Sequence, residues 1–177
     1  MSVPSAQPLR FRPATIEDAA AIAVLATTVW IDTYCDAGIP RSFAEYVLRE
    51  FTVAKTTELL ASPANRLWLA EAEEGIVGFA HLRLHAPTEH LDAAQPAEVS
   101  RLYVLERFAR RGIGRSLLER CRTSAAEEEA NALWLTVYSG NPRARAFYQR
   151  LGWRKIGDTT FVLDGQAYAN EVFALEW

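Results

Sequence analysis

Cysteine and histidine are both scarce in this chain of 177 residues, which holds two cysteines, Cys35 and Cys121, and three histidines, His81, His85 and His90. The cysteines stand alone, without metal-ligand spacing, and suit a reducing compartment. If His81 and His85 share a strand, four residues at about 3.3 Å each set them roughly 13 Å apart, too far to grip one ion. No histidine keeps acids or cysteines at metal spacing, so no metal is expected. Long apolar runs are lacking as well. The stretch from Ala19 to Trp30 is helix-length, interrupted by threonines, and well short of the ~20 residues of a membrane span. The N-terminus, MSVPSAQPLRF, lacks the basic-then-apolar pattern of a secretory signal. No internal repeat, linker or low-complexity tract divides the chain, and its length suits one well-packed domain over 1–177. These absences predict a soluble, cytoplasmic α/β domain with no membrane partner.

Positive charge is short overall, with a net charge of −3, yet it is concentrated. Residues 107 to 122 carry six arginines against Glu119 alone, which leaves about −8 on the rest. One basic segment on an acidic chain is too narrow for a nucleic-acid face. An acidic remainder would favour a cationic second ligand, although acidic residues mostly solvate a surface.

The basic segment follows a strand-like run. Val99, Arg101 and Tyr103 alternate with Ser100, Leu102 and Val104, and Arg110-Arg111-Gly112-Ile113-Gly114-Arg115 then leads into a helical period at Leu117 and Leu118. Glycines let backbone approach a ligand closely, and the free N–H groups at a helix start, aided by its dipole, hold anions. A phosphate-bearing cofactor is the expected guest. A P-loop would need lysine after its second glycine, where Arg115 stands, and a dinucleotide fingerprint a third glycine, where Leu117 stands. What is left is a two-glycine basic loop or an ordinary tight turn.

Around this segment the pattern predicts a short strand at Leu9–Arg12 stopped by Pro13, then a helix capped by Thr15. A second helical region covers about Ser42 to Leu60, breaking near Thr52. Strands at Arg66–Glu73 and Ile76–His85 form a hairpin, and Ala86–Pro96 loops into the central strand. After the helix from about Gly112 to Glu129 come a buried strand at Ala132–Tyr138 and a helix capped by Asn141 with Pro142 at its first position. Two strands, Trp153–Leu163 and Ala167–Leu175, close the chain.

Taken together, LYVLERFARRGIGRSLL and NPRARAFYQRLGW resemble the central strand with its R/Q-x-x-G-x-G/A loop and the C-terminal N-x-x-A-x-x-F-Y-x-x-x-G-F segment of the GNAT superfamily of acyl-CoA N-acetyltransferases. Ala109 departs from the usual Gln or Arg. The resemblance implies a GNAT-like α/β fold, with a mixed, mostly antiparallel sheet of about seven strands splayed in the middle and helices on both faces. It implies acetyl-CoA as co-substrate, with the backbone of Leu102, Tyr103 and Val104 along the pantetheine arm. Arg110, Arg111, Gly112, Ile113, Gly114 and Arg115 would hold the pyrophosphate, and Asn141 would also contact the cofactor. Tyr148 matches the tyrosine that serves as acid, and Glu98 the carboxylate that draws the amine's proton; Tyr138 and His81 are further candidates.

VWIDTYCDAGIPRSFAEYVLREFT, the following KTTELL and DGQAYANEVFALEW resemble, more loosely, the PaiA-type polyamine acetyltransferases. This places Trp30, Tyr34 and Tyr138 at the acceptor, a small primary amine, with Asp32, Asp36, Glu45 and Glu50 available to a polycation. Trp30 and Tyr34 could equally pack in the core. A protein N-terminus or amino-acid-like acceptor, a CoA-binding module without turnover, and an interaction domain without nucleotide are the competing readings. A homodimer is compatible with the family.

Overall fold

The computed structural model describes residues 8–177; the leader-free reading of the N-terminus falls largely on residues 1–7, outside the described residues. Strand β1 (Arg10–Pro13) leads through a single 3-10 turn into helices α1 (Ala19–Tyr34), α2 (Arg41–Glu50) and α3 (Val53–Ala61). The hairpin β2 (Asn65–Ala72) and β3 (Gly75–Arg83) follows, then β4 (Pro96–Val104), α4 (Ile113–Glu127), β5 (Ala132–Tyr138), α5 (Pro142–Arg150), β6 (Arg154–Leu163) and β7 (Gln166–Glu176). They form one open sheet in the order β1-β2-β3-β4-β5-β7-β6, parallel only at β4–β5. Among the described residues no helix is long and apolar enough to cross a membrane.

The sequence patterns explain most of these elements. Thr52 Oγ1 accepts from Lys55 N and starts α3 where the second helical region was expected to break. In α4, Ile113, Leu117, Cys121 and Ala125 recur every fourth residue and are all at most 2% exposed, so the helix lies along the sheet on a closed apolar stripe. That stripe, with α5, builds one core cluster, and α1 to α3 build a second on the opposite face.

Several local expectations are corrected. β1 ends at Pro13, but with the proline inside it as the last pair, opposite Trp68, at the sheet edge where a missing N–H is tolerated. His85 lies beyond β3 with φ 50°, so it does not share a strand with His81. The alternation in β4 changes phase at Ser100, because the register with β3 slips between Leu82–Val99 and His81–Arg101. This bulge puts Val99, Leu102 and Val104 in the α4 cluster, whereas Tyr103 joins the α1–α3 cluster.

The same bulge splits the sheet. β4 pairs with β5 only over Pro96–Ala132, Ala97–Leu133 and Glu98–Trp134. A bulge bends and twists the strand that carries it, and β4 parts from β5 immediately after Glu98. From Val99 to Val104 the β5-facing edge is therefore unpaired, opposite Leu135–Tyr138.

Candidate active site

The cleft opens where β4 and β5 separate. At one end stands the start of α4. Gly112 caps it at φ 77° with no side-chain cap, so the N–H groups of the first turn stay open to an anion. Arg110, at φ 62°, also takes the left-handed conformation, which re-aims the loop. Gly114 serves packing instead: a Cβ there would sit 3.1 Å from Phe147 Cζ, so the glycine lets α4 approach α5.

A cavity of about 700 Å³ spreads over this helix start. Its walls include Leu102, Val104, Arg110, Gly112, Ile113, Gly114, Arg115, Asn141, Phe147 and Tyr148. The six arginines of the basic segment do not all converge on it. Arg107 and Arg111 lie over the Phe108 ring, at 5.5 and 4.9 Å, and neither lines the cavity. Arg120 turns to Phe11, 4.2 Å away, and Arg122 pairs with Glu119. Two arginines of α5 take their place. Arg143 and Arg150 line the cavity, Arg143 already paired with Glu106 at 2.8 Å. Their separation of seven residues puts both on one helix face, the signal by which they could have been found.

On the α1–α3 side lies a second cavity of about 530 Å³. Its walls are strongly aromatic. Trp30 packs against Tyr34, Phe43 and Tyr46 with ring centroids 4.8, 5.0 and 5.2 Å away, and Tyr34 reaches Tyr138 at 5.8 Å. Trp30 is thus both a core residue, 6% exposed, and a wall of the cavity. The Tyr138 ring folds over Gly140, where a Cβ would lie 2.5 Å from it. A third, outer recess gathers Asp32, Asp36 and Glu106. Glu45 and Glu50 line none of these cavities; they are tied to Arg41 and Lys55 on the helix surface.

Tyr148 joins the two principal cavities, together with Leu102, Asn141 and Ala144. Its ring is buried against Phe147 and Trp153. Its hydroxyl bonds no described residue and is not among the sealed, unpaired polar atoms, so it opens on the cleft. Burial pushes the phenol's titration well above its ordinary range, and it stays protonated. Helix α5 is held by Arg145, whose Nε donates at 2.6 Å to the buried Glu171 of β7. The Asn141 Oδ1 accepts from Ala144 N at 3.0 Å, so the carboxamide caps α5 from a position on the cleft.

Glu98 marks the fork. Its Oε2 lies 2.8 Å from Arg83 Nη2, an ion pair without a well-directed hydrogen bond. His81 lines the same cavity at 4% exposure, its Nε2 2.9 Å from Asn65 Oδ1 and its Nδ1 sealed without a partner. Burial, helped by Arg101 and Arg83, pushes His81 down to about 3. The imidazole is therefore neutral. Among the described residues no cluster of three or more metal-ligating side chains occurs.

A fold of this kind has solved counterparts. The PaiA N-acetyltransferase of Thermoplasma acidophilum in complex with coenzyme A superposes with a TM-score of 0.74 at 18% identity, over 96% of this chain and 99% of that one. An uncharacterized N-acetyltransferase of Lactobacillus delbrueckii subsp. lactis is 26% identical over 133 residues, 75% of this chain and 76% of the relative. Another, from Mycobacterium bovis, is 29% identical over 124 residues, 70% and 75% of the two chains. The split sheet and its cleft are those of the acyl-CoA-dependent N-acetyltransferases. Within that class the chain belongs to the acetyltransferase (GNAT) family, whose model matches residues 30–153.

Proposed function

We propose that the chain, as one domain over 1–177, transfers the acetyl group of acetyl-CoA directly to a small primary amine in the cytoplasm. The observation that carries this reading is the position of Tyr148, whose hydroxyl stands where the cofactor-sized and acceptor-sized cavities meet. The residues present fit the cofactor, since an uncapped helix start lines the first cavity together with Arg110, Arg115 and Arg150, and an unpaired strand edge leads from it to the fork. When bound, the thioester supplies an activated acetyl carbonyl.

The chain's own groups do the rest. Amides of the first turn of α4 and the arginines around them hold the pyrophosphate. The free edge of β4 from Leu102 to Val104 offers backbone hydrogen bonds to the pantetheine arm, and one N–H can polarise the thioester oxygen. Glu98 takes the amine's proton, and Tyr148 Oη gives its own to the departing sulfur. Trp30, Tyr34 and Tyr138 exclude water around the acceptor.

The test is thiol release from acetyl-CoA with a panel of amines. Tyr148→Phe is expected to lower kcat by about 10²–10⁴-fold and leave CoA affinity within about twofold. Unchanged turnover in the variant would remove Tyr148 from the chemistry, and absent turnover in the parent would point to a CoA-binding module. A polyamine acceptor has one observation in its favour, the outer recess with Asp32 and Asp36, where Glu106 is already paired with Arg143.

A further inference from the structure

The inner cavity carries a different charge from the outer recess. Apart from tyrosines, its ionisable walls are His81, Arg83, Glu98 and Arg101. Glu98 and Arg83 neutralise one another at 2.8 Å, and His81 is neutral in its buried setting. Arg101 has no carboxylate partner among the described residues; its Cζ lies 5.3 Å from the Phe51 ring, and its charge reaches His81, Tyr46 and Tyr103. Arg101 is half-buried, so its guanidinium stays reachable from the cavity while its stem packs on the wall. One half-buried positive charge on the wall of this aromatic chamber therefore has no carboxylate partner among the described residues.

The backbone explains why it is there. The bulge at Ser100 reverses the phase of β4, so Arg101 stands opposite His81 and over Phe51, on the α1–α3 side with Tyr103. Arg101 lies three positions after Glu98, so the positive charge and the fork lie within about 10 Å along the strand. Such a distance suits one small molecule that carries its amine at the fork and an anion further in.

We infer that Arg101 recognises a carboxylate on the acceptor, so the substrate class is an amino acid, an amine and a carboxylate on one compact skeleton. The inference rests on the acetyltransferase reading of this cleft. Guanidinium and carboxylate match as a two-toothed pair, and the aromatic walls leave room for an apolar side chain. A polyamine would bring further positive charge beside Arg101.

The experiment compares matched pairs under acetyl-CoA: phenylalanine with phenethylamine, leucine with isoamylamine, 4-aminobutyrate with propylamine, and spermidine beside them. The expected result is at least about a tenfold advantage in kcat/KM for the acid of a pair, collapsing to within about threefold in Arg101→Gln and partly kept in Arg101→Lys, which retains the charge. Equal or better use of the amines or spermidine by the parent protein overturns the inference without any variant. A preference that survives Arg101→Gln, with folding verified by circular dichroism, also overturns it. If no acceptor releases thiol while CoA still binds, the proposed catalysis fails separately. Calorimetry of the amino acids on the CoA complex then decides: saturable binding lost in Arg101→Gln upholds the carboxylate site, and absence of binding removes it.

Discussion

His81 shows how burial selects the chemical state of one residue. Its ordinary pKa of 6.5 is pushed down to about 3 by desolvation, with the charges of Arg101 and Arg83 adding to the effect. Between those values the unfolded chain binds a proton that the folded chain refuses, so stability falls as pH drops through this window and the penalty is absent above it. Replacement by glutamine, which does not titrate, is expected to flatten urea-unfolding stability between pH 4 and 6. The parent should lose up to about 1.4 kcal/mol more per pH unit than His81→Gln, and parallel profiles would show that the imidazole protonates freely. Cys121 illustrates the same force on a thiol. Fully buried in the α4 stripe and pushed up to about 12, it is an inert packing group.

At the scale of elements, the start of α4 is the clearest case of sequence chemistry turning into a site. Gly112 meets no atom within 4 Å of a Cβ added to it, so its identity answers to its φ of 77° alone. Alanine there is expected to cost about 1–2 kcal/mol by conformational strain. That corresponds to a fall in Tm of roughly 2–8 °C, and CoA affinity should weaken as the first-turn amides tilt. Thermal unfolding and calorimetry with CoA check both; an unchanged Kd would mean that the anion is held by side chains alone. Helix α5 adds what spacing alone does not give. The seven-residue interval puts Arg143 and Arg150 on one face, but the approach of Arg150 to the cavity at the α4 start depends on how α5 packs, which Gly114 and Phe147 set by touching across the two helices.

Over the whole molecule, the cleft runs between two cores that meet through one split sheet, so a ligand filling it should couple both halves. CoA at about one hundred times its Kd is expected to add about 2.7 kcal/mol to the unfolding free energy. For a chain of this size the midpoint should rise by roughly 5–11 °C, in one transition. Differential scanning fluorimetry across a CoA titration checks it; no shift would sink the cofactor site, and two transitions would sink the coupling.

How much of this was legible follows from the range of each interaction. Local signals were plain: glycines and arginines before an apolar period, Asn141-Pro142 as a helix start, Thr52 as a break between two helices. The order of elements and the family resemblance rest on such short-range chemistry, so the sequence by itself determined the fold class and the two ends of the cleft. The bulge at Ser100 left no mark in the sequence, since it is a property of the register between β3 and β4 rather than of either strand. It alone decides that Arg101 and Tyr103 face the aromatic cavity on the α1–α3 side, and it lies where β4 leaves β5 after Glu98. Charge followed the same rule. Six clustered arginines were countable in the chain, but only packing decided which stack on Phe108 and which turn to Phe11, and only packing leaves Arg101, outside that cluster, without a carboxylate partner near the fork. Short-range preferences are written residue by residue, whereas register and charge pairing are settled between segments far apart in the chain.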